Sequence, residues 1–403
     1  MINVKPPEHI KYVLERLEEN GYAAYLVGGC VRDAIIGRPV HDWDVTSSAT
    51  PGDIGGIFEK TVFTGEKYGT VTVILPECSV EVTTFRTESD YSDGRRPENV
   101  MFTQHIEEDL SRRDFTMNAI AVSLSGSMTD PFGGIKDIND RVVRCVGEPG
   151  ARFAEDALRM FRAFRFSAEL GFDIRQGELN SIYANARKAR LISAERIRVE
   201  LEKTMLSRKP GLVAEMIKAG LLEKYMQTPG NHPNIPESFT ALPAEAQLRW
   251  CAFSAILIKE GLIEAAGSFL RKMRLDAKTI KATSTALSIN SFPDGSTGIK
   301  KLLAKHGKDA VRCTAAVQDM MHGGSTLKRT DETIKSGECF TLKDLAISGS
   351  DLISAGLPPG SELGKTLTAM LDHVIDHPED NNRKTLLMLV GTTIQGVSEK
   401  MVF

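Results

Sequence analysis

Apolar and polar residues alternate along the first third of the chain in a way that predicts short helices and strands. A first amphipathic helix, ending near Gly21, is predicted from apolar residues at helical spacing: Ile10, Val13, Leu14 and Leu17. The apolar run 23–27 predicts a buried strand, and a short helix over 31–36 follows it. Runs rich in Val, Thr, Ile and Phe predict further strands at 61–64, 70–75 and 80–85. This β-rich third is therefore expected to be an α+β domain.

The rest of the chain has helical periodicity. The sequence FAEDALRMFRAFRFSAEL, residues 153–170, predicts one continuous helix that ends at Gly171. From about residue 206 onward no sustained repeat or low-complexity tract is present, which favours an all-helical second half. Basic runs at 271–274 and 300–308 could follow a phosphate backbone, although such runs are more often solvated helix faces.

Composition narrows the class of protein. The 403 residues carry a net charge of −3 and are 41% hydrophobic, so we expect two to four domains and only a local surface for nucleic acid. The six cysteines are scattered without a C-x-x-C pair, which argues against a zinc ribbon or a disulfide framework. No run of about 18 apolar residues occurs, so we expect no membrane span and a cytoplasmic protein.

Candidate chemistry is concentrated after the first strand. Gly28-Gly29 ends that strand just before a helix whose amides could face an anion. Asp42 and Asp44 alternate with Trp43, and in a strand this spacing would place both carboxylates on one face, where a divalent cation would relieve their repulsion. Glu81, in a neighbouring predicted strand, would be either a third metal-binding carboxylate or an edge-strand surface charge. A candidate phosphate-binding turn beside a candidate metal-binding pair of carboxylates indicates nucleotide chemistry.

Two arginine clusters follow, and both have a simpler interpretation. In the segment 111–119, Arg112 and Arg113 could bind phosphate oxygens, or could belong to a surface network of ion pairs. On the predicted helix 153–170, Asp156 and Arg159 could read the edge of a base, or could form one internal ion pair. The polar segment 87–104 between the strands and these clusters is expected to be a mobile loop near the site, or a plain surface excursion.

Taken in order, these motifs closely resemble the class II tRNA nucleotidyltransferase (CCA-adding enzyme) and bacterial poly(A) polymerase family of the polymerase-β superfamily. The resemblance is dense over roughly residues 20–205. It rests on four stretches: Gly28-Gly29-x-Val31-Arg32-Asp33, Asp42-x-Asp44, Arg112-Arg113-Asp114-Phe115-Thr116-x-Asn118-Ala119 and Glu155-Asp156-x-x-Arg159.

The resemblance implies a role for each matching residue. It implies catalytic carboxylates that bind two Mg²⁺ ions at Asp42 and Asp44, and Glu81 lies where the superfamily often keeps a third carboxylate. Nucleotide-binding residues are implied at Gly28, Gly29, Arg32, Arg113, Asp156, Arg159, Arg162 and Arg165, of which Asp156 and Arg159 would act as a protein template for the base. The segment 87–104 is similar to the family's flexible loop.

The resemblance also implies an architecture and partners. We expect a polymerase-β-like nucleotidyltransferase head with a mixed sheet over 1–149, followed by an all-α neck over 150–208, body over 209–325 and tail over 326–403. The expected activity is addition of the CCA end to tRNA from CTP and ATP, and no protein partner is indicated. Alternatives are an enzyme that adds only A or only CC, a poly(A) polymerase, or a catalytically idle RNA-binding protein of the same fold.

Overall fold

The computed structural model describes residues 4–89, 99–227 and 232–390. The chain divides into two compact units, Met1–His232 and Pro233–Phe403. None of the helices in the described ranges is long and apolar enough to cross a membrane.

The first unit is built on a mixed β-sheet. The strands in its described part are β1 (Ala24–Val27), β2 (Val45–Ser47), β3 (Thr61–Gly65), β4 (Thr70–Ile74), β5 (Ser79–Thr84), β6 (Arg86–Ser89), β7 (Asn99–Phe102), β8 (Ala121–Ser123), β9 (Met128–Thr129), β10 (Val142–Val143) and β11 (Asp173–Ile174). Seven of them form the main sheet in the order β3-β4-β5-β2-β1-β8-β9. Within it β2 and β5 are parallel and the other neighbours are antiparallel. The predicted α+β fold with a mixed sheet is therefore confirmed.

Helices surround this sheet and continue beyond it. They are α1 (Glu8–Glu19), α2 (Gly29–Ile35), α3 (Pro51–Ile57), α4 (Ile106–Ser111), α5 (Gly134–Asp140), α6 (Pro149–Glu155), α7 (Leu158–Leu170), α8 (Gln176–Asn185), α9 (Ala194–Met205) and α10 (Leu212–Lys218). The predicted apolar face of α1 is buried. One core cluster packs Val27 at the end of β1 against Phe85 and Leu110, so the edge of the sheet that carries the site is fixed by apolar burial.

Two local predictions were wrong in detail. The predicted helix 153–170 is broken into α6 and α7 at Asp156, which has an extended backbone (φ −140°, ψ 105°). The Asp156 carboxylate accepts a hydrogen bond from the Leu158 amide at 3.0 Å, and such side-chain bonds to nearby amides compete with helix continuation. Asp42 and Asp44 lie in an extended segment just before β2, which begins at Val45.

The segment 87–104, predicted to be a loop, is partly ordered as a two-stranded ribbon. Strands β6 and β7 pair antiparallel from Arg86 with Phe102 to Ser89 with Asn99. Residues 90–98, between these strands, lie outside the described residues, so the predicted mobility of the loop is still a prediction.

The described residues of the second unit are helical, as predicted. The helices are α11 (Glu237–Ala241), α12 (Ala246–Lys259), α13 (Ala266–Lys272), α14 (Ala277–Ala286), α15 (Ser296–His306), α16 (Lys308–His322), α17 (Thr326–Lys335), α18 (Gly349–Ser354) and α19 (Ser361–Asp376), and residues 383–390 are also helical. Trp250, Phe253 and Phe269 form an aromatic cluster within this unit.

Two lysines of the basic run 300–308 form ion pairs within the second unit. Lys300 is only 2% exposed, and its ammonium donates to Glu338 at 2.6 Å. Lys301 is paired with Asp376 at 2.8 Å. These two lysines therefore neutralise carboxylates of their own unit.

Candidate active site

Two of the predicted carboxylates, Asp44 and Glu81, come from adjacent chain segments of the main sheet. The Val27 amide donates to the Asp44 carbonyl at 3.1 Å, which extends the pairing of β1 with the chain one residue before β2. In the parallel pair of β2 and β5, Val45 is opposite Val82. The preceding residues, Asp44 and Glu81, are therefore neighbours on the opposite face of the sheet from those buried valines.

The charges at this edge are only partly balanced. Asp44 keeps an accessible surface, yet loss of hydration raises the pKa of its carboxyl above the usual value. Arg113 opposes that shift, whereas the carboxylates of Asp42 and Glu81 add to it. No group of three or more His, Cys, Asp or Glu side chains in the described ranges is close enough to form a metal site. The edge is therefore a crowded set of carboxylates and not a complete protein cage.

Gly28 allows the carboxylates and an arginine to approach each other. Its backbone (φ 81°, ψ −135°) lies in a region that only glycine adopts easily. A Cβ atom here would lie 3.1 Å from Arg113 Nη1 and 3.3 Å from Asp44 Oδ2. Asp44 and Arg113 therefore converge on the space above Gly28, at the start of α2.

Substitution Gly28→Ala should lower kcat/KM for nucleotide transfer on the order of 10²-fold, because the new methyl group displaces Asp44 or Arg113 by a few tenths of an ångström or more. It should also destabilise the first unit by about 1–2 kcal/mol. Gly29→Ala is the matched control, since its Cβ would meet Arg32 Nη2 at an ordinary 3.6 Å and its φ is not positive. Steady-state kinetics and thermal melting would measure both effects. Equal kinetic losses in the two variants would contradict the close-approach argument.

A buried carboxylate holds the arginine pair that precedes Asp114. Asp109 is fully buried and accepts hydrogen bonds from Arg112 Nη2 at 2.7 Å and from Arg113 Nη2 at 3.2 Å. Burial alone would raise the pKa of Asp109, but Arg112 and Arg113 outweigh it and leave the pKa below its usual value. Arg113 Nε is buried and has no hydrogen-bond partner in the described residues. Arg113 is therefore anchored at one end and has an unused donor at the other.

A chain of hydrogen bonds links Arg32 to the long helix α7. Arg32 Nη1 donates to Asn118 at 2.6 Å, and Asn118 donates to Asp114 at 3.1 Å. Asp114 in turn accepts from Arg162 Nε at 2.7 Å. Burial would raise the pKa of Asp114, but Arg162 and Asn118 hold it well below its usual range. Arg32 is also bound by its neighbour Asp33 at 3.0 Å, so its guanidinium has a fixed position.

Three of the predicted arginines surround one aromatic ring. The guanidinium carbons of Arg32, Arg162 and Arg165 lie 5.0, 5.2 and 4.0 Å from the centre of the Phe166 ring. Each is within the range of a cation–π interaction. Arg165 is buried and ion-paired with Glu200 at 2.6 Å and Glu169 at 2.9 Å. Its position is therefore set by contacts inside the fold, and its predicted contact with nucleotide is still a prediction.

The two predicted base-reading residues do not pair with each other. Asp156 accepts from Arg196 Nη2 at 2.7 Å. Arg159 donates to Glu155 at 2.5 Å and to the Arg112 carbonyl at 3.0 Å. The Arg112 contact joins Arg159 to the arginine pair beside Asp44, so the carboxylate edge and the start of α7 form one continuous site.

Sequence reasoning missed three residues that hold this arrangement together: Phe166, Arg196 and Asp109. Arg196 lies on α9, where one arginine among several charged residues carried no positional signal. Asp109 stands three and four residues before Arg112 and Arg113, a helical spacing that could have indicated the ion pairs. Phe166 could not have been distinguished from other apolar residues of α7, because its role depends on arginines from two parts of the chain.

Arg196 should act on the choice of nucleotide through Asp156. Substitution Arg196→Ala frees the Asp156 carboxylate to rotate, and we expect the ratio of kcat/KM between CTP and UTP to fall about tenfold. Arg196→Lys should be intermediate, because lysine keeps the charge but loses the planar fork. Arg190→Ala is the control, since that exposed arginine pairs with Glu223 instead. A lower melting temperature with unchanged selectivity would reduce Arg196 to a purely structural role.

Comparison with known proteins finds three family models that match successive parts of the chain. Residues 24–144 match the family described as "Poly A polymerase head domain", and residues 244–390 match a second domain of tRNA nucleotidyltransferases. Residues 171–229 match the "Probable RNA and SrmB- binding site of polymerase A". Fold and site thus define a nucleotidyltransferase with a polymerase-β-like head.

Full-length relatives identify the family within that class. The CCA-adding enzyme of Limosilactobacillus fermentum is 37% identical over 397 residues, covering 96% of this chain and 97% of the relative. The CCA-adding enzyme of Geobacillus sp. (strain WCH70) is 35% identical over 382 residues, and the alignment covers 92% of this chain and 93% of the relative. A crystal structure of the Bacillus stearothermophilus CCA-adding enzyme in complex with CTP has a TM-score of 0.79 at 32% identity, covering 97% of this chain and 99% of that one. The chain belongs to the family of CCA-adding enzymes.

Proposed function

We propose that this protein adds the CCA end to the 3′ terminus of tRNA from CTP and ATP, without a nucleic-acid template. The observation that carries the proposal is the continuity of the site. Asp44 and Arg113 converge above Gly28, and Arg159 at the start of α7 is bonded to the Arg112 carbonyl. The matched Bacillus stearothermophilus relative, which is a CTP complex, supports this choice of nucleotide.

The carboxylate edge fits a divalent cation, and we propose Mg²⁺. Loss of hydration raises the pKa of Asp44, and the carboxylates of Asp42 and Glu81 raise it further, so a cation here would relieve the repulsion between these carboxylates. Asp42 and Asp44 would hold the ions, with Glu81 as a third carboxylate. When bound, Mg²⁺ neutralises the triphosphate and activates the 3′-hydroxyl. Two carboxylates suffice on the protein side, because Mg²⁺ sites are commonly completed by substrate phosphates and water.

The arginines and glycines bind and orient the nucleotide. Arg113, anchored by Asp109 through Nη2, directs its Nη1 to the Gly28-Gly29 turn, where it can bind the triphosphate. Arg32 is fixed by Asp33 and Asn118 at the same turn and orients the phosphates from there.

The start of α7 reads the base. Asp156 supplies acceptors and Arg159 supplies donors to the Watson–Crick edge, and Arg162 and Arg165 position that helix through Asp114, Glu200 and Phe166. A base with the wrong pattern leaves these partly buried groups unpaired, which costs about 1–3 kcal/mol for each group.

The proposed division of labour follows the expected domains. Residues 1–149 would form the catalytic head, 150–208 the neck that recognises the base, 209–325 the body and 326–403 the tail that binds tRNA. The six cysteines are all free, five of them buried, and we place the protein in a reducing cytoplasm.

Extension of tRNA transcripts tests the proposal. Purified protein is offered tRNA ending at the discriminator base, at C and at CC, with CTP and ATP supplied separately and together. We expect the first substrate to gain CCA only when both nucleotides are present. Failure to add C to it would leave an A-adding enzyme, whereas an end at CC with both nucleotides would indicate a CC-adding one. Long A tails on unrelated RNA would indicate a poly(A) polymerase, and no transfer at all would indicate an idle RNA-binding protein.

A further inference from the structure

One aromatic ring lies where the phosphate-binding turn of the head meets the base-reading helix. Phe166 is 4% exposed, and guanidinium carbons from two helices lie within 5.2 Å of the centre of its ring. Arg32 comes from α2, at the phosphate-binding turn, whereas Arg162 and Arg165 come from α7 itself. The ring therefore contacts both halves of the proposed nucleotide site.

A second aromatic ring holds Phe166 from the side of the head. Phe115, in the segment 111–119, is fully buried, and its ring centre lies 5.7 Å from that of Phe166 with an angle of 84° between the two planes. Aromatic pairs prefer such an edge-to-face arrangement. The Phe115 amide donates to the Asp114 carboxylate at 2.8 Å, so this second ring is itself fixed. Phe166 is therefore packed against the segment that carries Arg113 as well as against α2.

The ring and the base reader lie on one face of the same helix. Phe166 follows Arg159 by seven residues, which is about two helical turns and a separation of about 10 Å. A bound nucleotide has to reach from its base at Arg159 to its phosphates at Arg32. The position of Arg32 relative to α7 therefore decides whether one nucleotide can make both contacts at once.

Each of the three arginines around the ring already has a carboxylate partner. The ion pairs are Arg32 with Asp33 at 3.0 Å, Arg162 with Asp114 at 2.7 Å and Arg165 with Glu200 at 2.6 Å. The ring is therefore not needed to neutralise charge. It instead attracts three like charges to one place through the negative faces of its π system. An aliphatic side chain of similar size would fill the same volume without this attraction.

We propose that Phe166 is a positioning residue that sets the separation between the phosphate-binding turn and the base-reading helix. The proposal rests on the proposed function, since it is the nucleotide that bridges the two. Arg32 is held by Asp33 and Arg159 by Glu155, so each half of the site keeps its own affinity without the ring. The ring acts on their relative placement, which makes the second contact of a bound nucleotide effectively intramolecular.

Fluorinated phenylalanines, introduced at Phe166 by stop-codon suppression, test the role of the ring. Mono-, di- and trifluorophenylalanine nearly keep the shape of the ring but withdraw negative charge from its faces in steps. We expect the Kd for CTP, measured by calorimetry without tRNA, to rise with each fluorine and to reach about 2- to 30-fold at the third. Phe166→Leu, which removes the aromatic faces altogether, should weaken CTP binding at least as much.

The same series at Phe161 is the control. That ring is also buried on α7, and among the described residues no guanidinium lies over it. Fluorination there should leave the Kd for CTP unchanged.

Two fragments of the nucleotide separate positioning from a structural role. Cytidine occupies only the base-reading half of the site and inorganic tripolyphosphate only the phosphate-binding half. The inhibition constant of each fragment, measured in competition with CTP, should not change along the Phe166 series, because neither fragment bridges the two halves.

Three results would overturn the proposal. They are a Kd for CTP that does not depend on fluorination of Phe166, an equal dependence at Phe161, and a loss of affinity for either fragment that matches the loss for CTP. The last result would mean that the ring supports one half of the site and not the separation of the two. Because binding is measured without catalysis, a protein that binds CTP as expected but does not extend tRNA would count against the proposed function alone.

Discussion

Substitution Asp44→Ala is expected to lower kcat for nucleotide addition on the order of 10³-fold or more while tRNA binding stays intact. Asp44 is next to Glu81 across the parallel strands and shares the space above Gly28 with Arg113. Its removal eliminates a proposed metal ligand, whereas Arg113 keeps its ion pair with Asp109. In phosphoryl transfer, loss of one charge-stabilising group commonly costs 10³-fold or more. Asp42→Ala should have the same outcome.

Single-turnover rates and tRNA Kd values, measured side by side, separate chemistry from binding. Asp173→Ala is the control, because it removes an exposed carboxylate of the same unit from β11, outside the site. Glu81→Gln should cost less than Asp44→Ala, since Glu81 borders the site from β5. Transfer by the Asp44 variant at the unsubstituted rate would eliminate the proposed metal role.

Substitutions Asp156→Ala and Arg159→Ala should reduce discrimination against UTP and GTP by about 5- to 100-fold each. In the proposed template role both partly buried side chains bond to the base, so a mismatched base leaves some of their donors or acceptors unsatisfied in the unsubstituted protein. Substitution by alanine removes the free-energy cost of the unsatisfied groups for a wrong base, and also removes the hydrogen bonds to the correct base. Affinity for tRNA should change little, because both residues are proposed to contact the base of the incoming nucleotide.

The measurement is kcat/KM for all four nucleotides on tRNA ending at the discriminator base and at CC. A double-mutant cycle of Asp156→Ala with Arg196→Ala isolates the ion pair between them. If the two substitutions have strongly non-additive effects on nucleotide selectivity, the result supports a template in which Arg196 holds the Asp156 carboxylate in position. Selectivity that does not change in either single variant would contradict the template role.

Local sequence patterns predicted the parts of the site whose geometry is local. The Gly28-Gly29 turn follows a buried strand and precedes a helix. Asp42 is close enough to Asp44 to add to the rise in the Asp44 pKa that burial causes. The strand that contains Glu81 was predicted from its composition. Its position beside Asp44 is a property of the parallel pairing of β2 with β5.

The helix break at Asp156 shows where local propensity was insufficient. Residues 153–170 have a strong helical pattern, yet the Asp156 carboxylate bonds to the Leu158 amide and pairs with Arg196, forty residues later in the chain. A single-residue interruption of this kind depends on a partner that the local pattern does not contain. Similarly, Arg165 matches the arginine spacing of α7 but is turned into the fold by Glu200.

The sequence by itself determined the α+β character of the first third and the helical second half. It also determined the order in which the glycine, carboxylate and arginine motifs of the site follow one another along the chain. Those features depend on the periodicity of burial and on turns, which are encoded over a few residues. Only the tertiary structure decided which carboxylate meets which guanidinium, and that Arg113 Nη1 and Asp44 converge above Gly28. These pairings join residues far apart in the chain, and the free energy of each depends on burial and distance that exist only once the fold has formed.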